Sequence, residues 1–159
     1  MTLSDDAAMQ IALEEARRAP EHRDVPIGAV LLLDGEVLAQ AHNERELTGD
    51  PTAHAEVLAL RRGARRLGSW RLGNATLVVT LEPCAMCAGA LVHARVARVL
   101  FATPDPKAGA LGSLYHLGSD PRLNHEFVVD QGVRAQESAE LLRSFFRERR
   151  RATPVADAP

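Results

Sequence analysis

The stretch Pro83-Cys84-Ala85-Met86-Cys87 decides how the rest of the chain is read. Proline before Cys-x-x-Cys predicts a helix that opens with proline in its first turn. Cys84 and Cys87 then stand on one helical face, with Cβ atoms roughly 5–6 Å apart. That gap suits two thiolates sharing one zinc at about 2.3 Å each. The positive end of a helix dipole also favours thiolate over thiol. Read alone, Cys-x-x-Cys also fits a redox pair or half of a structural zinc site.

A third ligand comes from upstream, in Pro51-Thr52-Ala53-His54-Ala55-Glu56. This segment also reads as a helix opening, with Pro51 in a turn and Thr52 as capping candidate. His54 supplies the imidazole. Glu56, two residues on, points to another side of a regular helix. The two act together only if the metal lies off the helix end, so that Glu56 meets the open coordination position. Zinc bound by two thiolates and a neutral imidazole carries no net charge and activates water weakly. A carboxylate that takes the water's proton is then needed, and Glu56 is placed for it. Three protein ligands with a fourth position open is the catalytic pattern of zinc.

Outward from these segments, the chain alternates helix and strand. Ala8, Ile11, Ala12, Ala16 and Ala19 keep helical spacing, and Pro20 is expected to stop that helix. Val25–Leu33 and Glu36–Ala41 read as strands joined by the turn Asp34-Gly35. Val57, Leu60, Ala64 and Leu67 form a helical stripe opposed by Arg61, Arg62 and Arg65. Leu77-Val78-Val79 reads as a central strand covered on both faces. Val96–Phe101 and Phe127–Val129 read as further strands, and Glu137 to about Arg150 as a closing helix. The pattern predicts an α/β/α arrangement with the site at one edge of the sheet. Residues 1–151 form one domain in this reading, and 152–159 a flexible tail.

The 159 residues allow one domain with a proper core, and 46% apolar with 25% charged residues is ordinary for a soluble protein. No apolar run is long enough to span a membrane and no signal segment is seen, so the cytoplasm is the expected compartment. A net charge of −2 argues against indiscriminate coating of nucleic acid while allowing a local basic patch. The basic charge is nearly all arginine, with Lys107 the only lysine.

His-x-Glu followed by Pro-Cys-x-x-Cys is the signature of the zinc nucleobase deaminases. Asp24–Val30, Asp50–Glu56, Thr80–Cys84, Gly109–Ser113, Asn124-His125 and Phe145–Arg150 each resemble the bacterial tRNA-specific adenosine deaminase family, across roughly residues 5–150. The resemblance implies a cytidine deaminase-like three-layer α/β/α sandwich with a mixed central sheet of about five strands. It further implies a homodimer with one zinc ion per subunit, held by His54, Cys84 and Cys87. Its activity would convert adenosine to inosine at the wobble position of a tRNA anticodon stem-loop. Glu56 would move a proton from water at the zinc to N1 of adenine, then to the departing ammonia. Asn43 would hold the base or its ribose, with Pro26, Ile27 and Ala29 lining the pocket beneath. Asp105 and Lys107 would contact flanking nucleotides. Asn124, Phe146, Arg149 and Arg150 would form the anticodon-loop surface. The chain departs from the family pattern at Asp120-Pro121, where an acidic residue weakens a phosphate contact, and at Asp105-Pro106.

Blander readings stand beside these. His93 suits a helix C-terminus as a charge partner. His22, His42 and His116 read as surface or packing residues. The Arg61–Arg66 run reads as a solvated face. Arg147–Arg151 fits both a helix terminus and, beside two phenylalanines, stacking on unpaired bases. A free guanine or cytosine deaminase of the same fold is the alternative enzyme. A non-catalytic zinc-stabilised or thiol-redox binding module is the alternative from another class.

Overall fold

The computed structural model describes residues 2–152. Helix α1 (Asp5–Ala16) starts where the Ser4 hydroxyl accepts the Ala7 N–H at 3.1 Å, with Asp5 and Asp6 in the first turn. Its last turn passes into a short 3-10 turn at Ala19–His22, so Pro20 reshapes the chain instead of ending all helical structure. Strands β1 (Gly28–Leu33) and β2 (Glu36–His42) pair antiparallel through Asp34-Gly35, both at positive φ as a tight hairpin requires. A short helix, α2 (Arg45–Thr48), interrupts the expected loop. There follow α3 (Ala55–Leu67), β3 (Ala75–Leu81), α4 (Ala85–Ala94), β4 (Arg98–Thr103), β5 (Val128–Gln131) and α5 (Ala135–Ala152).

The sheet order is β2-β1-β3-β4-β5. β1 is antiparallel to β2 and β3, whereas β3, β4 and β5 run parallel. The five-stranded mixed sheet expected from the sequence is therefore present. Side chains of successive strand residues point to opposite faces. Ala29, Leu31, Leu77, Val79, Val99 and Phe101 accordingly pack with Ala59, Leu60 and Leu91 of α3 and α4. Val30, Leu32, Val78, Leu100 and Ala102 pack on the other face against Ala8, Met9, Ala12 and Leu13 of α1, with Leu141 of α5 beside them. Burying each large side chain contributes about 1.5–3 kcal/mol.

The strand and helix ends differ by one to three residues from those read off the sequence, where hydrophobic patterning says least. α5 runs through Ala152, one residue into the expected tail; the remainder of that tail, residues 153–159, lies outside the described residues. No helix of the described residues is long and apolar enough to cross a membrane.

One close approach fixes the layer spacing near the site. A Cβ on Gly28 would overlap the Ala12 carbonyl, so α1 lies directly on the first residue of β1. That seats the N-terminal end of β1 beside the C-terminal end of β3, where the Gly28 N–H donates to Thr80 Oγ1 at 3.2 Å.

Candidate active site

The ends of β1, β2 and β3 meet at one edge of the sheet, and α3 and α4 both begin there. His54 is the N-cap of α3 and Cys84 the N-cap of α4, each with extended backbone angles. The metal-ligand side chains thus project off the helix ends, the arrangement that the spacing of His54 and Glu56 demanded. His54 Nδ1 lies 3.5 Å from Cys87 Sγ and 3.8 Å from Cys84 Sγ, and all three donor atoms fall within 4.8 Å of one another. Among the described residues this is the group of three His, Cys, Asp or Glu side chains that could hold a metal ion.

Two local expectations are corrected. Pro83 precedes the N-cap of α4, so it stands outside the first turn. Thr52 does not cap α3: its hydroxyl donates to Asp50 Oδ1 at 2.8 Å. The cap comes from Asn43, whose Oδ1 accepts the Ala55 N–H at 2.9 Å.

Burial sets the charges. Glu56 is only 4% exposed, and loss of solvent pushes its carboxyl above the usual carboxylate range. Cys84 is drawn down to about 3, first by the hydrogen bond from the Cys87 thiol and then by His54. The same bond and burial push Cys87 up. His54 is raised by its hydrogen bond to Cys84. Without an ion the cluster therefore keeps its negative charge on Cys84, with Glu56 against Cys87.

These groups floor a cavity of about 150 Å³ lined by Val25, Ile27, Asn43, Arg45, Leu81 and Asp105 among others. It is small beside the ~300–1,000 Å³ of drug-sized sites, a size that suits a flat base. A groove of about 500 Å³ shares Val25, Leu81 and Asp105 with it and continues past Lys107 to Phe146 of α5. Arg147 and Arg150 flank a further hollow beside Lys107 and Phe146.

Residues 3–150 match the sequence profile of the MafB19-like deaminases. A Bacillus subtilis tRNA-specific adenosine deaminase is 47% identical over 96% of this chain and 94% of its own length. The chain belongs to the bacterial tRNA-specific adenosine deaminase family. The Haemophilus influenzae tRNA-specific adenosine deaminase is 43% identical over 97% of this chain and 90% of its own. A solved structure from work on A-to-I editing by tRNA:A34 deaminases matches with a TM-score of 0.82 at 47% identity, covering 85% of this chain and 98% of that one. A guanine deaminase from Nitrosomonas europaea shares the fold, with a TM-score of 0.76 at 25% identity, covering 91% and 86%.

The deaminase brings together only some of the residues singled out in its sequence. His54, Cys84, Glu56, Asn43, Ile27 and Asp105 line the cavity, with Cys87 buried behind them. Pro26 and Ala29 are buried behind the wall, Ala29 in the core with Val79 as its strand partner. Lys107, Phe146 and Arg150 border the outer grooves. The Arg149 guanidinium lies 5.8 Å from the Phe145 ring centroid. Asn124 is elsewhere: its Oδ1 accepts from Arg95 at 3.4 Å, at the opposite end of α4 from Cys84. The acidic departure Asp120 is ion-paired with Arg122 at 2.6 Å, which draws its carboxyl down to about 2. Asp105 Oδ1 accepts the N–H groups of Lys107 and Ala108, so it shapes its own turn.

The residue that sequence reading missed in this deaminase is Glu82. It is 3% exposed and accepts the N–H groups of Asp105, Leu111 and Ser113 together with the Ser113 hydroxyl. Burial opposes its ionisation, but these donors outweigh that and hold its carboxyl below the usual range. A Cβ at Gly109 would overlap the carboxylate, so the Asp105–Ser113 loop wraps directly onto it. The acid just before Pro83-Cys84 was the available signal. Val25, Arg45, Leu81 and Ala108 also line the cavity unforeseen.

Proposed function

We propose that this chain hydrolyses adenosine to inosine at the wobble position of a tRNA anticodon stem-loop, using one zinc ion per subunit. The observation that carries this reading is the Glu56 carboxylate beside a His54–Cys84–Cys87 donor set, at the floor of a base-sized cavity that opens toward basic, aromatic α5.

The donor set fits zinc. A tetrahedral site with Zn–S of about 2.3 Å and Zn–N of about 2.05 Å has an N···S edge of about 3.6 Å. The observed edges are 3.5 and 3.8 Å. Bound there by three protein ligands, zinc is a Lewis acid that lowers the pKa of water at its open position.

The remaining steps belong to the protein. Glu56 takes a proton from the attacking water and delivers it to N1 of adenine as oxygen bonds to C6. It passes the second proton to the amino group, the C6–N bond breaks, and ammonia leaves with Glu56 ready for another cycle. Its burial raises the carboxyl toward working pH, which suits a group that must both accept and donate. Asn43 spends its Oδ1 on Ala55, leaving its amide NH₂ for the base or ribose. Ile27 walls the cavity, with Pro26 and Ala29 supporting it. Asp105 and Lys107 meet neighbouring nucleotides, while Phe146, Arg149 and Arg150 engage the anticodon loop by stacking and phosphate contact. Asn124 would meet RNA only outside this cavity.

A homodimer in the cytoplasm completes the reading. The exposed Trp70 and Leu67, beside an apolar hollow lined by Val57, Leu60, Ala64 and Ala90, support a self-contact there. Light scattering of the purified protein tests it.

The substrate test is a competition. Zinc-loaded protein receives an anticodon stem-loop with adenosine at the wobble position, in parallel with free adenosine, guanine and cytidine. Inosine is expected in the stem-loop alone. Turnover of free guanine with an untouched stem-loop would transfer the assignment to the guanine deaminase branch of the fold.

A further inference from the structure

Four polar groups that the deamination chemistry leaves unused form a continuous chain beneath the cavity rim. Glu15 Oε2 of α1 lies 2.7 Å from His42 Nδ1, and His42 Nε2 lies 3.2 Å from His22 Nε2. His22 Nδ1 in turn lies 2.7 Å from Asp24 Oδ2. Glu15, Asp24 and His42 are 4%, 2% and 7% exposed. The ring centroids lie 5.2 Å apart, with the ring planes inclined by 30°.

Donor counting determines the protons in this chain. An ionised carboxylate only accepts, so both Nδ1 atoms carry hydrogen. The two Nε2 atoms face each other, and a hydrogen bond between them requires hydrogen on one and a lone pair on the other. One ring therefore carries two protons. We infer that His22 and His42 share a single proton between their Nε2 atoms, and that this cationic pair positions the substrate-binding rim.

The charges around the pair balance. The carboxylates of Glu15 and Asp24 stand against the shared proton and the Arg18 guanidinium, which donates to Glu15 Oε1 at 3.3 Å. The neutral Gln40 amide donates to the same oxygen at 2.7 Å. Removing the shared proton leaves two lone pairs facing each other across 3.2 Å, and adding one sets two N–H groups head to head. Either change opens the contact.

The chain is tied to the cavity at three places. His42 precedes Asn43, and Asp24 precedes Val25, both cavity residues. Asp24 also accepts the N–H groups of Glu46 and Leu47 at 3.0–3.2 Å, which fixes α2 and with it Arg45 on the cavity wall. His22 and His42 are thus positioning residues, and this role rests on the deamination reading above.

The proton count is read on zinc-loaded, full-length protein with ¹⁵N-labelled histidine, using His22→Gln to assign the pair. At neutral pH three of its four ring nitrogens are expected to carry hydrogen, with one proton exchanging between the Nε2 atoms. Finding both Nε2 atoms bare, or both protonated, overturns the inference. In stem-loop deamination, His22→Gln should raise KM roughly tenfold, the loss of about one hydrogen bond's worth of alignment, with kcat unchanged. A KM within about twofold of wild type, or a loss confined to kcat, counts against the positioning role. If the wild type fails to deaminate the stem-loop, the functional reading falls, while the proton count still decides the histidine pair. If His22→Gln does not fold, the wild-type nitrogen spectra across pH still decide it.

Discussion

Replacing Glu82 by Gln keeps the shape of the side chain and removes its charge. The amide oxygen would face the Leu111 and Ser113 N–H groups, and the amide NH₂ would face the Asp105 N–H and the Ser113 hydroxyl. The hydroxyl can rotate to accept, but the Asp105 N–H loses its acceptor. Two charge-assisted bonds become neutral, costing about 1 kcal/mol each, and one half-buried N–H goes unpaired at about 1–3 kcal/mol. The sum, about 3–5 kcal/mol, is a large part of a typical stability of about 5–15 kcal/mol. Urea unfolding should show the midpoint falling with an unchanged slope, and the melting temperature of a chain this long should drop by about 6–20 °C. Because Asp105 lines the cavity, KM for the stem-loop should rise as well. A stability loss below about 1 kcal/mol would refute the reasoning, since the loop would then be held by something other than Glu82.

Other consequences follow from the same groups. Glu15 is buried, yet its bonds to His42 and Gln40 outweigh that and hold its carboxyl low, as the loop donors do for Glu82. The unfolded chain therefore binds more protons than the folded one as pH falls below about 4.3, so urea midpoints should decline on acidification through that range, and less steeply in Glu82→Gln. In metal-free protein at neutral pH, iodoacetamide should label Cys84, held at about 3, well before the buried Cys87, and zinc should protect both; equal labelling would count against the charge assignment. Removing zinc by chelation should lower the melting temperature, and Cys87→Ser should abolish that difference along with measurable zinc content. Phe146→Ala should raise KM for the stem-loop by roughly 5- to 100-fold with kcat retained, the loss expected when one base no longer stacks.

The parts of this molecule that were readable in its sequence are those written in local patterns. Leu77-Val78-Val79 announced a strand covered on both faces, and Val78 does face α1 while Leu77 and Val79 face the α3–α4 layer. Asp34-Gly35 announced the hairpin that joins β1 to β2. The separation of His54 and Glu56 required a metal position off the helix end, and both ligand helices do begin at the site. What stayed hidden depends on partners distant in the chain. Glu82 acts on donors 23 to 31 residues away, and Glu15 meets His42 across 27. Neither leaves a periodic trace. His42, read as a surface or packing residue, is buried and hydrogen-bonded at both nitrogens for this reason. Thr52 had the right chemistry for a helix cap but lost that place to Asn43, which reaches in from the end of β2. Asn124 matched the family motif, yet its segment lies against the far end of α4.

The central claim is that Glu56 moves the protons of an adenosine deamination at the His54–Cys84–Cys87 centre. Its most direct test is single-turnover inosine formation in the anticodon stem-loop by zinc-loaded wild type and Glu56→Ala, with zinc content measured on both. The account predicts equal zinc, KM within a few-fold, and a rate lower by roughly 10²–10⁴ in the variant. A variant that keeps its zinc and still forms inosine within about tenfold of the wild-type rate would contradict it.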